Sequence, residues 1–402
     1  MKKRQIIEPK RPIDVIHETD VLVVGSGPGG LSAAIASARC GVKTTLLERF
    51  GCFGGNITVV GVEGFAWYRH EKTIEAGGIG REFEELAKEM GAAVPESQSL
   101  SYELDSEGFK LVADKLVMDS GIHPMLHRSF SMPIMEGNTV VGVIVESKAG
   151  REAILSKVVI DATGDADVAF RAGAQLNTMP VEELMATSVM FHLAGVDKKA
   201  FLSEIQNNPQ SYKDWSDSEW EVETDGKEDD LFSPFIKKPF QQAINDGLLP
   251  SDLKTIGGTW GAVHDTGELT YMNIIQLSNI DGTNPDDLTR GEIEGRKQAM
   301  LAIEALKKYY PGCEKARLRN FGMSIGIRDT RKLDAVYNMT ELDVRKQGKF
   351  EDTIGIYPEF IDGYGLLIIP TTGRYMELPY SAMLPKNING LLKFKRGEEK
   401  KL

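Results

Sequence analysis

The chain has 402 residues, of which 41% are hydrophobic and 26% charged, and its net charge is −12. This composition is typical of a soluble globular protein of one or two domains, and the negative charge argues against a nucleic-acid-binding surface. The sequence contains no run of about 18 apolar residues, the length needed to span a membrane. Its basic N-terminal segment lacks the apolar stretch of a signal peptide, so the sequence predicts a cytoplasmic protein.

The first predicted elements are a strand at 20–24, a glycine turn reading GSGPGG, a helix at 31–40 and a second strand at 42–47. Gly25 permits a tight turn, Gly27 lets backbone approach a pyrophosphate, and Gly30 lets the helix pack on the strand. Free N–H groups at the helix start face the phosphates. Glu48 ends the second strand, where it can accept hydrogen bonds from an adenosine ribose. The arrangement predicts a dinucleotide-binding βαβ unit.

Further elements extend this unit into a larger domain. Apolar spacing predicts helices at 80–90 and 109–119 and strands at 122–127, 132–135, 140–146 and 154–161. Turn residues 136–138 predict a small antiparallel ribbon between the middle two strands. The last strand runs into Ala162, Thr163, Gly164 and Asp165, where a cofactor could lie. The fold class predicted is α/β, with a Rossmann-like domain built from a parallel sheet, helices and the ribbon.

Residues 181–285 differ in character, because they are less periodic and richer in polar and aromatic residues. They are predicted to form an inserted α+β cap or substrate domain. Its tryptophans, Trp215, Trp220 and Trp260, are interpreted as packing residues. Beyond the cap, the pattern predicts a helix at 288–309 and strands at 323–327, 354–357 and 364–370.

A second glycine segment, FGCFGGNIT at 50–58, follows Glu48 and Arg49 closely. Gly54 and Gly55 let backbone approach a flat ring or phosphate oxygens, and the Thr58 hydroxyl can donate to one. A nicotinamide-binding Rossmann domain gives no reason for this segment, whereas a flavoprotein does.

Four motifs in this order resemble the FAD-dependent oxidoreductase family: GSGPGG at 25–30, LLERFGCFGGNIT at 46–58, VVIDATGDADVAFRAG at 158–173 and FGMSIGIRDTRKLDAVYNMTELDV at 321–344. Relatives in that family include the flavin subunit of heterodisulfide reductase and glutathione-reductase-like flavoproteins. The resemblance covers about 18–392 and implies FAD bound non-covalently in an extended pose. The cofactor-binding residues that it implies are Gly25, Ser26, Gly27, Pro28, Gly29, Gly30, Glu48, Arg49, Gly54, Gly55, Thr58, Phe130, Ala162, Thr163, Gly164 and Asp165.

The C-terminal end departs from the family pattern. In such proteins, the segment resembling 378–385 is followed by a strand, a glycine-arginine turn and a helix that returns to the flavin. Here a charged stretch follows, which is predicted to be disordered, so we expect the last FAD-binding strand and helix to be missing. The predicted domain plan is a tail at 1–17, an FAD-binding domain at 18–180 and 286–392, the cap at 181–285, and a disordered tail at 393–402.

Two residues are candidates for catalysis. Arg328 could anchor a substrate carboxylate or the electron-rich edge of the flavin, and a structural pairing with Asp329 or Asp334 is an equal alternative. His264, in the cap, could remove a proton from a substrate, and an ordinary surface histidine is the simpler interpretation.

The cysteines and other histidines predict no metal centre. Three widely spaced cysteines are too few for a four-thiolate iron–sulfur cluster, so we expect none within this chain. Cys52 is interpreted as a packed residue rather than a ligand to a cluster shared with another subunit. His123, His127 and His192 are interpreted as structural.

The sequence therefore predicts an enzyme that passes a hydride from a small substrate to FAD and then electrons to an unknown acceptor. Three alternatives stay open: a truncated, non-catalytic remnant, a flavin electron-transfer subunit of an iron–sulfur complex, and a nicotinamide dehydrogenase. Residues 51–58 disfavour the last. An oligomer is compatible with the sequence, and no nucleic-acid or membrane partner is expected.

Overall fold

The structure is a computed structural model that describes residues 4–64, 77–95, 102–209, 221–223, 235–358, 361–363, 366–368 and 375–391. Its α-helices are α1 Pro28–Arg39, α2 Ile79–Glu89, α3 Gly108–Asp119, α4 Asp167–Ala172, α5 Lys198–Asn207, α6 Lys238–Asn245, α7 Pro285–Tyr309 and α8 Glu341–Arg345. A π-helical turn covers Asn56–Val60, and 3₁₀ turns cover Val181–Glu183 and Tyr380–Met383.

The strands of the first half are β1 Val15–Val24, β2 Thr44–Leu47, β3 Ala93–Pro95, β4 Tyr102–Leu104, β5 His123–Met125, β6 Ser129–Glu136, β7 Thr139–Ser147, β8 Gly150–Asp161 and β9 Leu176–Asn177. Those of the second half are β10 Phe191–Ala194, β11 Glu221–Glu223, β12 Phe235–Ile236, β13 Gly258–Thr259, β14 Glu268–Met272, β15 Arg317–Phe321, β16 Lys332–Leu333, β17 Thr353–Pro358, β18 Ile361–Gly363, β19 Leu366–Ile368 and β20 Tyr375–Pro379.

A six-stranded sheet in the order β5-β2-β1-β8-β7-β6 organises the first half. Strands β5, β2, β1 and β8 are parallel, whereas β7 and β6 add in antiparallel fashion. The turn at Gly137, with a φ of 60°, joins these last two strands. The Rossmann-like α/β fold and the antiparallel ribbon predicted from the sequence are therefore confirmed.

Helices cover one face of this sheet. Leu31, Ala34 and Ile35 of α1 are fully buried against it, in one core with Phe83 of α2 and Phe109 of α3. The two phenylalanine rings meet edge to face, with centroids 5.8 Å apart. Because parallel strands end at the same edge, the turn after β1 and the loop after β8 meet at that edge of the sheet.

A second sheet, β14-β10-β15, forms the centre of the cap and is antiparallel throughout. Its core includes Phe191, Phe201 and Trp260, and the long helix α7 packs into the same core through Ala299 and Ala302. The predicted domain boundary at 285 stays a prediction. In the structure, α7 and β15 share their core with the strands that precede that boundary.

One predicted strand is misplaced. The sequence pattern indicated 323–327, but the strand is β15, Arg317–Phe321, and only Gly326 beyond it makes an isolated bridge, to Ser188. The reason is that β15 is an edge strand of the cap sheet. Arg317 and Arg319 interrupt its apolar pattern, although both lie within the strand.

The end of the described chain returns to the first sheet. Leu391 makes a parallel bridge to Val159 of β8, and Asn389 makes one to Thr139 of β7. Ile388 and Leu391 are buried in the core below the sheet. The predicted disordered tail at 393–402 and the acidic stretch with Trp215 and Trp220 lie outside the described residues, apart from Glu221–Glu223.

Candidate functional site

The glycine turn after β1 leads directly into α1. Gly25 has a φ of 99°, and a Cβ atom there would lie 2.3 Å from the carbonyl oxygen of Ala162. A Cβ atom at Gly30 would lie 2.0 Å from the oxygen of Gly25. These two glycines are therefore required for the close approach of β1, α1 and the end of β8.

The other glycines of the turn face open space. Cβ atoms at Gly27 and Gly29 would have no neighbour within 4 Å. Gly27 is the N-cap of α1 and, within the described residues, no side chain caps this helix. Pro28 follows as the first helical residue, where its missing N–H is harmless. An open, uncapped helix N-terminus with its positive dipole end is suited to a diphosphate.

Glu48 is buried at the end of β2 and is bonded to the glycine turn. Its Oε2 accepts from the Ser26 N–H at 3.0 Å and from the Ser26 hydroxyl at 2.6 Å, and its Oε1 accepts from the Phe50 N–H at 2.9 Å. A carboxylate has about four acceptor positions, so Oε1 retains capacity for a hydroxyl. The carboxylate thus holds the turn in place and can still accept a ribose hydroxyl.

The second glycine segment folds onto the turn. Gly54 donates its N–H to the backbone carbonyl oxygen of Ser26 at 2.9 Å. A Cβ atom at Gly55 would lie 2.5 Å from the Gly27 Cα. The Thr58 hydroxyl donates to the Phe53 oxygen at 2.7 Å, so in this structure it is used inside the segment.

Three more residues of this region have their own partners. Arg49 is exposed, and its guanidinium lies 4.7 Å from the centroid of the Phe50 ring. Cys52 is buried, with its Sγ 3.7 Å from the Thr58 Oγ1. Among the described residues, no three His, Cys, Asp or Glu side chains come together as metal ligands.

The loop after β8 closes the other side of the turn. Ala162 donates its N–H to the Val24 oxygen at 2.9 Å, and Thr163 donates its hydroxyl to Asp161 at 2.7 Å. Gly164 has a φ of 90° and faces open space. Asp165 accepts from the Thr330 hydroxyl at 2.8 Å, and burial raises the pKa of its carboxyl.

Phe130 lies on β6, half-buried near the end of β2. The backbone N–H of Arg128 donates to the backbone carbonyl oxygen of Glu48 at 3.1 Å, so the start of β6 passes beside Glu48. The structure therefore brings Phe130, Glu48, the two glycine segments and the loop 162–165 to one edge of the sheet. The role of each at a cofactor stays a prediction.

The two catalytic candidates lie in the second half of the chain, with His264 inside the predicted cap and Arg328 beyond its boundary at 285. Arg328 donates to the Ala186 oxygen at 2.6 Å, the Ser188 hydroxyl at 2.8 Å and the Asn273 Oδ1 at 2.9 Å. These bonds join the segment after β15 to two segments of the cap, and the suggested pairings with Asp329 and Asp334 are not among them. His264 is half-buried, and its backbone N–H donates to the backbone carbonyl oxygen of Glu268 at 2.7 Å in a hairpin turn.

Sequence reasoning missed a buried titratable pair, Glu63 and His192. Glu63 is 2% exposed and His192 is 1% exposed, and the His192 Nε2 lies 3.9 Å from the Glu63 Oε1. Burial raises the pKa of Glu63 to about 7 and lowers the pKa of His192 to about 4. No sequence signal joins these two residues, because they are far apart in the chain and flanked by apolar residues.

A sequence model described as FAD dependent oxidoreductase matches residues 20–397. Among curated proteins, the thiamine thiazole synthase of Metallosphaera sedula is 34% identical over 160 residues, which cover 37% of this chain and 55% of that protein. The thiamine thiazole synthase of Saccharolobus solfataricus is 34% identical over 162 residues, which cover 38% of this chain and 57% of that protein. The chain spans about half the length of these relatives.

Among solved structures, a geranylgeranyl bacteriochlorophyll reductase-like protein from Thermoplasma acidophilum is 15% identical, with a TM-score of 0.43 over 88% of this chain and 70% of that chain. No helix in the described ranges has the length and apolar character needed to cross a membrane.

Proposed function

The chain belongs to the FAD-dependent oxidoreductase family, and from that premise we propose that it oxidises a small molecule by passing a hydride to non-covalently bound FAD. The family is one of enzymes, and FAD is its cofactor. When bound, FAD supplies the electron acceptor, so the protein's task is to hold the cofactor and the substrate and to manage protons.

The observation that supports this proposal most is the start of α1. Gly27 and Gly29 leave room for a ligand, the helix has no side-chain cap in the described chain, and Gly55 packs directly on Gly27. Backbone N–H groups there can bind a diphosphate without any charged side chain.

Other residues would complete the cofactor site. We propose that Glu48 accepts from the ribose, that Phe130 lies near the adenine, and that Gly54 and Gly55 face the flavin end. Gly164 has a φ of 90°, which glycine adopts readily, and it faces open space, so it would let the loop after β8 pass close to the cofactor.

The substrate and the electron acceptor are not defined by this site. Family membership favours an oxidoreductase over the alternatives of a non-catalytic remnant or an electron-transfer subunit. The relation to the heterodisulfide reductase flavin subunit, the expected lack of a last FAD-binding strand and helix, and the cytoplasmic location stay predictions.

Purified protein incubated with FAD and passed over a gel-filtration column tests the proposal. We expect flavin absorbance to co-elute with the protein and free FAD to appear on heating, as non-covalent binding requires. Anaerobic mixing with a panel of alcohols, amines and acids should then bleach the flavin with one class. Protein that elutes without flavin, or flavin that no member of the panel bleaches, would contradict the proposal.

A further inference from the structure

The Glu63–His192 pair lies where the chain after the π-helical turn Asn56–Val60 meets β10 of the cap sheet. Gly61, directly after the π-helical turn, approaches His192 so closely that a Cβ atom there would lie 3.2 Å from the His192 Nε2. The same π-helical turn contacts the segment that follows β15, since the Met323 backbone N–H donates to the Val59 carbonyl oxygen at 2.6 Å. Ligand sites occur preferentially at such junctions, and π-helical turns are frequent at functional sites.

Glu63 is hydrogen-bonded to the end of β4 and the residues that follow it. Its Oε1 accepts from the Ser106 N–H at 3.0 Å, and its own carbonyl oxygen accepts from the Leu104 N–H at 2.9 Å. The hydroxyl of Thr270, on β14 of the cap, also favours its ionised form, but burial outweighs these bonds and raises the pKa to about 7. The carboxyl is therefore fixed in position and can hold or release a proton near neutral pH.

His192 is fully buried, and neither ring nitrogen has a hydrogen-bond partner among the described residues. A buried polar atom without a partner destabilises the folded state. In this protein the Nε2 is also directed toward a titratable carboxyl, 3.9 Å away. An unsatisfied imidazole in that position is suited to accept a proton from a group that the protein does not itself provide.

The charged groups around the pair come from several elements. Arg319 on β15 lowers the pKa of His192, whereas Asp105, Glu107 and Glu268 raise it. Burial is the largest influence and keeps the ring neutral near pH 7. Asp105 also raises the pKa of Glu63. The surroundings are mainly acidic, so they disfavour an anionic substrate group.

We propose that His192 is the residue that accepts the substrate's proton, and that Glu63 is its positioning partner and the final holder of that proton. This inference rests on the proposed function and narrows its substrate class to alcohols or amines, compounds with an O–H or N–H beside the carbon that is oxidised. The hydride and both of its electrons leave the carbon for FAD. The proton of this O–H or N–H group, written X–H, moves to the His192 Nε2, and a C=O or C=N bond forms.

The proton then passes from the ring to the Glu63 Oε1, which leaves both groups neutral. The accepting state is a neutral His192 beside an ionised Glu63, and its population rises with pH through about 7. Pairs of titratable groups whose pKa values are moved apart by their surroundings are typical of acid–base sites.

The first test needs no substrate. In FAD-loaded protein with ¹³C-labelled histidine, the signal of His192, assigned by its loss in His192→Gln, should stay that of a neutral ring from pH 6 to 8. The chemical shift of this neutral ring should nevertheless change once near pH 7, because the neighbouring Glu63 ionises there. The shift should vanish in Glu63→Gln and persist in Glu84→Gln, a control that removes another fully buried carboxyl, on α2. A ring that becomes protonated near 6.5, or a shift that survives Glu63→Gln, overturns the pairing.

The second test measures anaerobic bleaching of bound FAD by butan-1-ol, butylamine, other primary alcohols and amines, and succinate as the contrast without a reacting X–H. We expect an alcohol or amine to bleach the flavin faster as pH rises through 7. His192→Gln should slow this about 100-fold, the contribution of a general base, at unchanged FAD content. Glu63→Gln should flatten the pH profile, and Glu84→Gln should leave it unchanged.

The outcomes separate the two proposals. Bleaching by succinate alone, or equal rates in His192→Gln and wild type, overturns the role of His192 while the oxidoreductase assignment stands. Wild-type protein that takes up no FAD overturns the proposed function, and the titration of His192 in the FAD-free protein then decides the pairing by itself.

Discussion

We propose that the two halves of the molecule provide chemistry in different ways. The edge of the six-stranded sheet does so with backbone, because Gly27 and Gly29 leave amide groups open and Glu48 is occupied in holding the turn. The junction with the cap does so with side chains, because Glu63 and His192 are buried and titratable. A backbone site depends on shape and is insensitive to pH, whereas a buried side-chain pair depends on protonation. Mutations should therefore affect the two regions through different variables.

The largest expected effect is in the glycine turn. Gly30→Ala should lower the free energy of unfolding by about 3 kcal/mol or more, because its Cβ would lie 2.0 Å from a backbone oxygen. Gly29→Ala, one residue earlier in the same helix and facing open space, should be neutral or raise it by about 0.5 kcal/mol. Urea unfolding of both variants measures the difference, and equal effects would show that the turn is not packed as described.

The next effect is on stability against pH at the junction. The pKa of Glu63 is raised to about 7 from an ordinary value of 4.5, so the folded protein binds this proton more tightly than the unfolded chain. Its contribution to stability is full below pH 4.5 and is lost as pH rises through 7, by about 3 kcal/mol in total. The lowered pKa of His192 acts in the opposite direction, favouring the folded state as pH rises from 4 to 6.5.

Glu63→Gln isolates the first of these contributions. The stability difference between wild type and Glu63→Gln should move by about 3 kcal/mol in favour of the variant between pH 4.5 and 8. Denaturant unfolding at a series of pH values measures it. A difference independent of pH would mean that Glu63 ionises normally.

The sequence predicted correctly the elements whose structure depends on residues that are neighbours in the chain. The βαβ unit, α2, α3 and the ribbon were predicted because glycines, apolar periodicity and turn residues act locally. Prediction from sequence failed where the outcome depends on distant partners. The edge strand β15 was misplaced because charged residues interrupt its pattern. The contact between His192 and Glu63 was not predicted either, since nothing near either residue in sequence indicates the other.

A smaller effect is expected at Arg328. Arg328→Met should cost about 2 kcal/mol of stability, because it leaves the Ser188 hydroxyl and the Ala186 oxygen without their charged donor. Arg290→Met is the matched control: it removes an exposed arginine that donates to Asp287 and to the backbone oxygen of the solvent-exposed Asn279, and it should cost about 0.5 kcal/mol. Thermal unfolding compares them. If Arg328→Met is as mild as its control, the guanidinium does not hold the cap together, and the substrate-anchor hypothesis gains weight.

The smallest effect on stability is expected at the exposed surface between α1 and α2. Arg39 donates twice to Glu82, at 2.8 and 2.7 Å, between α1 and α2, and both side chains are exposed. Arg39→Ala should cost about 0.5 kcal/mol at low salt and nothing measurable in 1 M salt, because exposed ion pairs are weak and screened. A loss that persists in high salt would indicate packing rather than charge.

The most direct test of the central claim, that backbone at the start of α1 holds the FAD diphosphate, is an FAD titration of Gly27→Asp. A carboxylate at this open N-cap position fits the backbone and is a favourable helix cap, so the variant should fold as well as wild type. It should bind FAD about 100-fold more weakly, because the carboxylate would occupy the diphosphate's place and repel it. Gly80→Asp, which adds the same charge to the open first turn of α2, should bind FAD as wild type does. Unchanged FAD affinity in Gly27→Asp would contradict the claim.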